Sequence, residues 1–167
     1  YMRYCISNIS RYCIDIAKKT VKKIRFPFPY NSWVCSLLLD SQHTLWIATS
    51  SGLFYYSEKD EIHEEIQFGD YRICNASAIQ EDGDNILIAC DEGLIIYNKK
   101  TKKKEFLTSE QNQSIEYIRS VMTTEHHIWL ATRSNIVSID KENREIRTFS
   151  SFNGYKVGEF HRNSAIK

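Results

Sequence analysis

The sequence has almost no net charge and no long apolar run. Its 167 residues include 22 basic and 21 acidic side chains, which gives a formal net charge of +1. So balanced a charge does not indicate a nucleic-acid or membrane-surface partner. The longest apolar stretch, Trp33 to Leu39, is interrupted by Ser36 and is far too short to span a bilayer. We therefore predict no nucleic-acid contact, and membrane contact only through a transmembrane helix outside this segment.

Helical periodicity and metal-ligand spacing are also lacking. No stretch carries a convincing helical period, which leaves strands and turns as the regular structure. The cysteines show no C-x-x-C spacing, so no zinc site is supported, and we predict neither a metal nor another cofactor. We interpret the cysteines as buried small side chains beside apolar strands, with a Cys5–Cys13 disulfide across a hairpin as the alternative. The five cysteines are Cys5, Cys13, Cys35, Cys74 and Cys90.

Three short stretches of the chain repeat one another almost unchanged. Each is an apolar run, centred on Trp46, Leu87 or Trp129, so the period is 41 and then 42 residues. A turn-like residue follows each run, and a second apolar run follows the turn. These turn-like residues are Gly52, Gly93 and Asn135. A fixed period of roughly 40–50 residues with strands inside each unit is typical of β-propeller blades.

A degraded fourth copy stands at the front of the sequence. Tyr4 lies 42 residues before Trp46, and the runs around Tyr4 and Tyr12 align with the two runs of the later copies. The chain thus begins within a blade, so the lack of a signal peptide carries no information about the parent protein. The predicted fold class is all-β, a β-propeller segment of four-stranded antiparallel blades, with about 3–4 blades in an incomplete ring. The predicted units are 1–32 (partial blade and connector), 33–72, 73–115 and 116–152 (blades), and 153–167 (the truncated start of the next blade).

Turn chemistry supports the β interpretation. Gly52 and Gly93 are predicted to occupy positive-φ turn positions between the second and third strands. Asn135 at the equivalent place supports this prediction, because Asn adopts that conformation more readily than other non-glycine residues. The lysine run Lys99–Lys104 falls in the hairpin between the third and fourth strands. We predict a solvated turn there, with binding of an anionic glycan as the alternative.

The repeat carries a consensus of Leu-Trp-Ile-Ala-Thr-x-x-Gly-Leu-x-x-Tyr after a turn that contains Asp. Its best copy runs from Asp40 to Tyr56. This motif resembles the two-component regulator propeller repeat, although the glycine that the family usually has before the Trp strand is missing. The tail 152–165, with Glu159, Phe160 and His161, resembles a segment near the end of such sensor propellers. In the family that segment reads Glu-Phe-Asn, so His161 departs from the pattern.

The resemblance implies sensing. Propellers of this family lie in the periplasmic, dimeric sensor region of Bacteroides-type hybrid two-component systems. In those proteins a transmembrane helix joins the sensor to a histidine kinase, a receiver and a DNA-binding regulator, which form a phosphorelay. The resemblance therefore implies a periplasmic segment of a sensor histidine kinase that recognises an oligosaccharide and controls polysaccharide-utilisation genes. It also implies a homodimer in the full-length protein and no enzymatic activity in this segment.

Two other classes of propeller remain as alternatives. Propeller lyases and sialidase-like glycosidases repeat at a similar scale, but the sialidase box requires Ser-x-Asp-x-Gly-x-Thr-Trp. The nearest match, Asp40 to Trp46, lacks the glycine and inserts Leu45 before Trp46. A protein-interaction propeller is the second alternative, and the Gly-His and Trp-Asp signatures of WD40 repeats are missing.

Candidate site residues are few. No catalytic or metal-binding residue is predicted. Trp46 and Trp129 are predicted to pack between blades rather than to bind a sugar, because they occupy equivalent positions in the repeat. The candidates for ligand contact are Phe28 and Tyr30, in a proline-containing connector between repeats, and Tyr55, which alternates with its buried neighbours along a strand.

Overall fold

The computed structural model describes residues 2–6, 11–15, 19–23, 34–50, 52–56, 63–67, 76–108 and 113–161. Fifteen β-strands lie in these residues, in four antiparallel sheets. The first sheet contains β1 (Met2–Ile6), β2 (Arg11–Asp15) and β3 (Thr20–Lys23). The second contains β4 (Val34–Leu39), β5 (Leu45–Thr49), β6 (Gly52–Tyr56) and β7 (His63–Gln67).

The third sheet contains β8 (Ala78–Asp82), β9 (Asn85–Ala89), β10 (Gly93–Asn98) and β11 (Lys104–Thr108). The fourth contains β12 (Ser120–Thr123), β13 (His127–Ala131), β14 (Ile136–Asp140) and β15 (Ile146–Phe149). Two short 3-10 helices span Gln113–Ile115 and Ser151–Asn153. None of the helices in the described residues is long and apolar enough to cross a membrane.

Each sheet is a meander in which sequential strands are neighbours, as in a propeller blade. The first strands of the last three sheets, β4, β8 and β12, lie side by side, so these blades are arranged around a common inner edge. The predicted all-β fold class, an unclosed set of antiparallel propeller blades, is confirmed. We number the blades one to four in chain order. The unit boundaries predicted from the sequence, including a further blade that starts at 153–167, stay predictions.

The apolar core lies between blades. Successive side chains along a strand point to opposite faces. Strand β9 has apolar side chains on both faces, and neighbouring blades cover both faces. Ile86 and Ile88 pack toward blade two in a cluster that includes Trp46. Leu87 and Ala89 pack toward blade four. These four side chains of β9 are fully buried.

The structure tests part of the cysteine interpretation, and Cys74 lies outside the described residues. In the first sheet Cys5 pairs with Tyr12 and Cys13 pairs with Tyr4, so the two cysteines are not opposite each other across the hairpin. The Cys5–Cys13 alternative is therefore wrong. Cys90 is buried, as predicted, but it is disulfide-bonded and not simply a small core side chain.

A threonine closes the turn between the second and third strands of a blade. The hydroxyl of Thr49 donates to the Gly52 carbonyl (2.9 Å) and accepts from the Gly52 N–H (3.0 Å). Thr132 and Asn135 make the same two bonds, at 3.2 and 3.1 Å. Gly93 has the predicted positive φ, +149°. Asn135 does not, so that prediction was wrong, because the threonine hydroxyl closes this turn without a left-handed residue.

Candidate functional site

The hairpin turns of the blades place charged groups at one end of the strands, which we call the hairpin edge. Asp40 follows β4 there and is 5% exposed. Its Oδ1 accepts hydrogen bonds from the backbone N–H groups of Gln42 (2.9 Å) and Thr44 (2.8 Å). Its Oδ2 accepts the indole N–H of Trp46 at 2.9 Å. One carboxylate therefore shapes the hairpin and fixes the tryptophan that packs between blades two and three.

Lys99 joins blade three to this carboxylate. Its Nζ lies 3.2 Å from Asp40 Oδ2 and 2.6 Å from Glu81 Oε1. Ser41 completes the group by donating its backbone N–H and its hydroxyl to Glu81, both at 2.8 Å. The sequence-based prediction of a solvated turn is wrong for Lys99, whose side chain is 11% exposed because two carboxylates compensate its desolvation. The run from Lys100 to Lys104 is exposed, as predicted.

The arrangement recurs one blade later. Lys141, after β14, binds Asp82 of blade three, and the Thr123 hydroxyl donates to the same carboxylate at 2.8 Å. In each case a lysine after the third strand of one blade binds a carboxylate after or at the end of the first strand of the preceding blade. We call this pair of contacts the interblade lysine clamp, made by Lys99 with Asp40 and by Lys141 with Asp82.

The pKa shifts at the first clamp follow from its contacts. Burial would raise the pKa of Asp40, but hydrogen bonds from Trp46, Thr44 and Lys99 outweigh it and lower the pKa below 3.8. The pKa of Glu81 is likewise lowered, because bonds from Lys99 and Ser41 outweigh the opposing effect of burial. Burial opposes the charged form of Lys99, yet its two carboxylate partners raise its pKa above 10.5. All three groups are thus charged at neutral pH, and the clamp holds blades together.

Replacing Lys99 by Met should destabilise the chain by about 2 kcal/mol, less than the roughly 3–5 kcal/mol typical of breaking a fully buried ion pair. The loss arises because Asp40 keeps its hairpin bonds but loses its countercharge, whereas Glu81 retains Ser41. Urea denaturation of the two chains measures the difference. The matched control is Lys100→Met, whose side chain is 69% exposed and whose partner is Asp84. An equal effect of the two substitutions would contradict the structural role of the clamp.

A cleft lies at the opposite end of blade four, which we call the crossover edge. It has a volume of about 310 Å³ and is open to solvent. Its lining comes from three segments: the approach to β12, the turn between β13 and β14, and the tail. The lining residues are Arg119, Arg133, Glu159, Phe160 and His161.

Local pairing explains why these segments meet. Arg119 directly precedes β12, and its backbone N–H donates to the Ala131 carbonyl at the end of β13 (2.7 Å). Arg133 lies two residues beyond Ala131, so both guanidinium groups start from the same edge of the sheet. Strand β15 ends at that edge as well, since Phe149 pairs with Ile136 at the start of β14. The tail that follows β15 therefore begins beside the two arginines.

Aromatic contacts hold the start of the tail against blade four. Trp129 stacks on Phe149 with ring centroids 5.9 Å apart, and Phe149 meets Tyr155 edge-on at 5.1 Å. The Tyr155 N–H also donates to the Ser150 carbonyl at 3.1 Å. Trp46 is 4% exposed and packs between blades two and three, as predicted. Trp129 is half-buried, on the face of blade four that points away from blade three, and its interblade packing stays a prediction.

The charges of the cleft are only loosely compensated. In the described residues Arg119 forms an ion pair with Asp91, with 3.7 Å between Nη1 and Oδ1, a distance too long for a strong hydrogen bond. Arg133 is exposed and has no ion-pair partner in the described part of the chain. The pKa of Glu92 is raised by burial and by the negative charge of the neighbouring Asp91. The cleft thus combines two available guanidinium groups with one carboxylate, Glu159, the phenyl ring of Phe160 and the imidazole of His161.

Of the candidates predicted from the sequence, the structure describes Tyr55. Tyr55 is partly buried and its ring centroid is 5.6 Å from that of Trp46, so it packs on the interblade core. Phe28 and Tyr30 lie outside the described residues, and ligand contact by these three side chains stays a prediction. Arg119 and Arg133 were not predicted, because each is an isolated charge in the sequence. The resemblance of the tail was the available signal for 159–161. In the described residues, no group of three or more His, Cys, Asp or Glu side chains forms a metal site.

The family comparison agrees with the repeat. Residues 27–51 match the model of the family described as two component regulator propeller, which confirms the resemblance noted in the sequence. The matched segment covers Asp40, Trp46 and Thr49, whose side chains build the hairpin, the interblade contact and the following turn. No curated protein sequence matches the chain.

Solved structures share the fold. The extracellular domain of BT3049, described as a hybrid two-component system of B. thetaiotaomicron, has a TM-score of 0.73 and 19% identity, over 97% of this chain and 25% of that one. The extracellular domain of BT4673, described as a one-component system of B. thetaiotaomicron, has a TM-score of 0.64 and 16% identity, over 95% and 19%. PorZ, a surface component of the type-IX secretion system of Porphyromonas gingivalis, has a TM-score of 0.56 and 15% identity, over 89% and 19%. The chain therefore spans a quarter or less of these structures.

Proposed function

We propose that this chain is part of the extracytoplasmic, periplasmic sensor region of a hybrid two-component regulator. The observation that carries the proposal is the two-component regulator propeller repeat at residues 27–51, set in a fold similar to the BT3049 extracellular domain over 97% of the chain. The disulfide at Cys90 supports the location, because disulfides persist in oxidising compartments such as the periplasm.

In this proposal the segment binds and transmits, and it does not catalyse. The parent protein is a sensor histidine kinase, and its ligand is an oligosaccharide released from a polysaccharide. Ligand binding changes the packing between the propeller and its partner domains in a homodimer. A transmembrane helix outside this chain passes that change to the kinase, whose phosphorelay alters transcription of polysaccharide-utilisation genes. A ligand shifts such an equilibrium only by its difference in affinity for the two states.

Transcription in cells that make the full-length protein tests this function. We expect one class of oligosaccharide to induce a set of polysaccharide-utilisation genes, and the induction should vanish when the gene for the parent protein is deleted. A matched panel of monosaccharides serves as the control for nutritional effects. Turnover of a glycan by the purified chain would favour a lyase or glycosidase instead. Binding of a folded protein without any glycan response would favour an interaction propeller.

A further inference from the structure

We propose that the cleft at the crossover edge of blade four binds the carboxylate or sulfate of an acidic sugar, and that Arg133 and Arg119 are the residues that bind this anionic group. The inference rests on the proposed oligosaccharide-sensing function and adds both the site and the charge of the ligand. Tyr55, the sequence-predicted candidate in the described residues, is not part of the lining of this cleft.

The two arginines lack the close ion pairs that other cationic side chains of blades three and four form. Lys99 has a carboxylate oxygen at 2.6 Å, and Arg144 has one at 2.7 Å on Glu105. In the described residues the carboxylate that pairs with Arg119 lies 3.7 Å away, and Arg133 has no ion-pair partner. Arginine presents planar, paired donors that match a carboxylate or sulfate in a bidentate fashion. The cleft therefore offers donors whose charge the protein itself leaves weakly compensated.

The rest of the lining favours a sugar over a simple anion. Glu159 lies in the same cleft without an ion pair to either arginine in the described chain, and its oxygens accept hydrogen bonds from hydroxyl groups. Phe160 is partly buried in the wall and offers an apolar surface to the C–H face of a ring. A small inorganic anion would meet the arginines but use neither of these side chains. A ligand with one anionic group and several hydroxyls uses all of them.

The size of the cleft limits the ligand to a short one. Its volume of about 310 Å³ stands at the lower end of the range of small-molecule sites. That space fits one or two sugar rings, and the open mouth leaves the remainder of a longer chain in solvent. The position at the joint between the blade and its tail places a bound sugar against both segments at once.

Isothermal titration calorimetry on the purified chain tests the inference. The probes are digalacturonic acid and a sulfated chondroitin disaccharide, each compared with its neutral counterpart, the methyl ester or the desulfated methyl ester. We expect at least one acidic probe to bind, and its neutral counterpart to bind at least about tenfold more weakly. Arg133→Gln should weaken binding of the acidic probe by at least about tenfold. The control, Arg147→Gln, removes an exposed arginine of β15 and should leave binding unchanged.

Several outcomes would overturn the inference. They are equal binding of the acidic and neutral probes, equal effects of Arg133→Gln and Arg147→Gln, and binding of no acidic probe. If a neutral oligosaccharide induces genes through the full-length protein while the acidic probes do not bind, the inference fails and the proposed function stands. Circular dichroism and a thermal melt check that Arg133→Gln is folded. A second variant, Arg133→Lys, keeps the charge but loses the paired donors, and should bind with intermediate affinity.

Discussion

Replacing Asp40 by Ala should destabilise the chain by about 4 kcal/mol, because a buried carboxylate that serves several donors is lost. Two backbone N–H groups and the indole N–H of Trp46 would lose their acceptor, and Lys99 would lose one of two countercharges. The hairpin between β4 and β5 and the joint between blades two and three depend on the same side chain. Equilibrium unfolding in urea measures the loss.

Two further variants separate the roles of Asp40. Asp40→Asn keeps an oxygen for the backbone bonds of Gln42 and Thr44 but turns a donor toward Trp46 and Lys99, so its cost should lie between wild type and Asp40→Ala. Asp84→Ala is the matched control, since this carboxylate is 46% exposed and its ion-pair partner in the described residues is the exposed Lys100. We expect Asp84→Ala to lower the free energy of unfolding by less than about 1 kcal/mol. Comparable losses for Asp40→Ala and Asp84→Ala would refute the account of the clamp.

The same contacts set a pH dependence. The pKa values of Asp40 and Glu81 are lower in the folded chain than their usual values of 3.8 and 4.5. The two carboxylates therefore contribute their full stabilisation when the pH is above their usual pKa values. This stabilisation is lost as the pH falls through their lowered pKa values in the folded chain. The pKa of Lys99 is raised above 10.5, so its contribution is lost only as the pH rises through that higher value. Asp40→Ala should accordingly flatten the acid limb of the stability profile.

Gly93→Ala should have a similarly large effect, about 4 kcal/mol, from backbone strain and overpacking together. Gly93 begins β10 with φ +149°, where a Cβ would lie 2.1 Å from the carbonyl oxygen of Leu107 and 3.0 Å from the Cα of Thr108. Both atoms belong to the backbone of β11, so relief requires the strand pair to separate. The consequence is a weakened third blade, whose strand β9 is buried on both faces. A thermal melt and a urea titration of the variant measure it.

Gly83→Ala provides the control for that prediction. Gly83 also has a positive φ, +59°, but a Cβ there would meet nothing within 4 Å. Its cost should therefore be the conformational penalty alone, about 1 kcal/mol. If both glycine substitutions cost the same, steric contact with β11 does not constrain Gly93, and the argument from close approach is wrong.

The sequence predicted the fold because each repeat carries its own local signals. Apolar runs marked the strands, and Thr49 with Gly52 marked a turn that the structure closes with the threonine hydroxyl. The prediction that Lys99 is solvated was wrong, because its partners Asp40 and Glu81 lie 59 and 18 residues away and no local sequence pattern reveals them. Arg119 and Arg133 were not predicted for the same reason, because the fold of blade four brings them close to the tail although they are distant from it in the sequence. Contacts between distant segments depend on register and packing, which a single repeat does not encode.

Reading the open reading frame that encodes this segment tests the central claim most directly. The account predicts a transmembrane helix downstream of the propeller, followed by a histidine-kinase core, a receiver and a DNA-binding regulator in the same polypeptide. That result would direct the binding experiments to acidic and neutral oligosaccharides. A frame that closes its propeller and ends without a transmembrane helix or a kinase would contradict the sensor assignment, and a secreted lyase or binding propeller would then explain the repeats better.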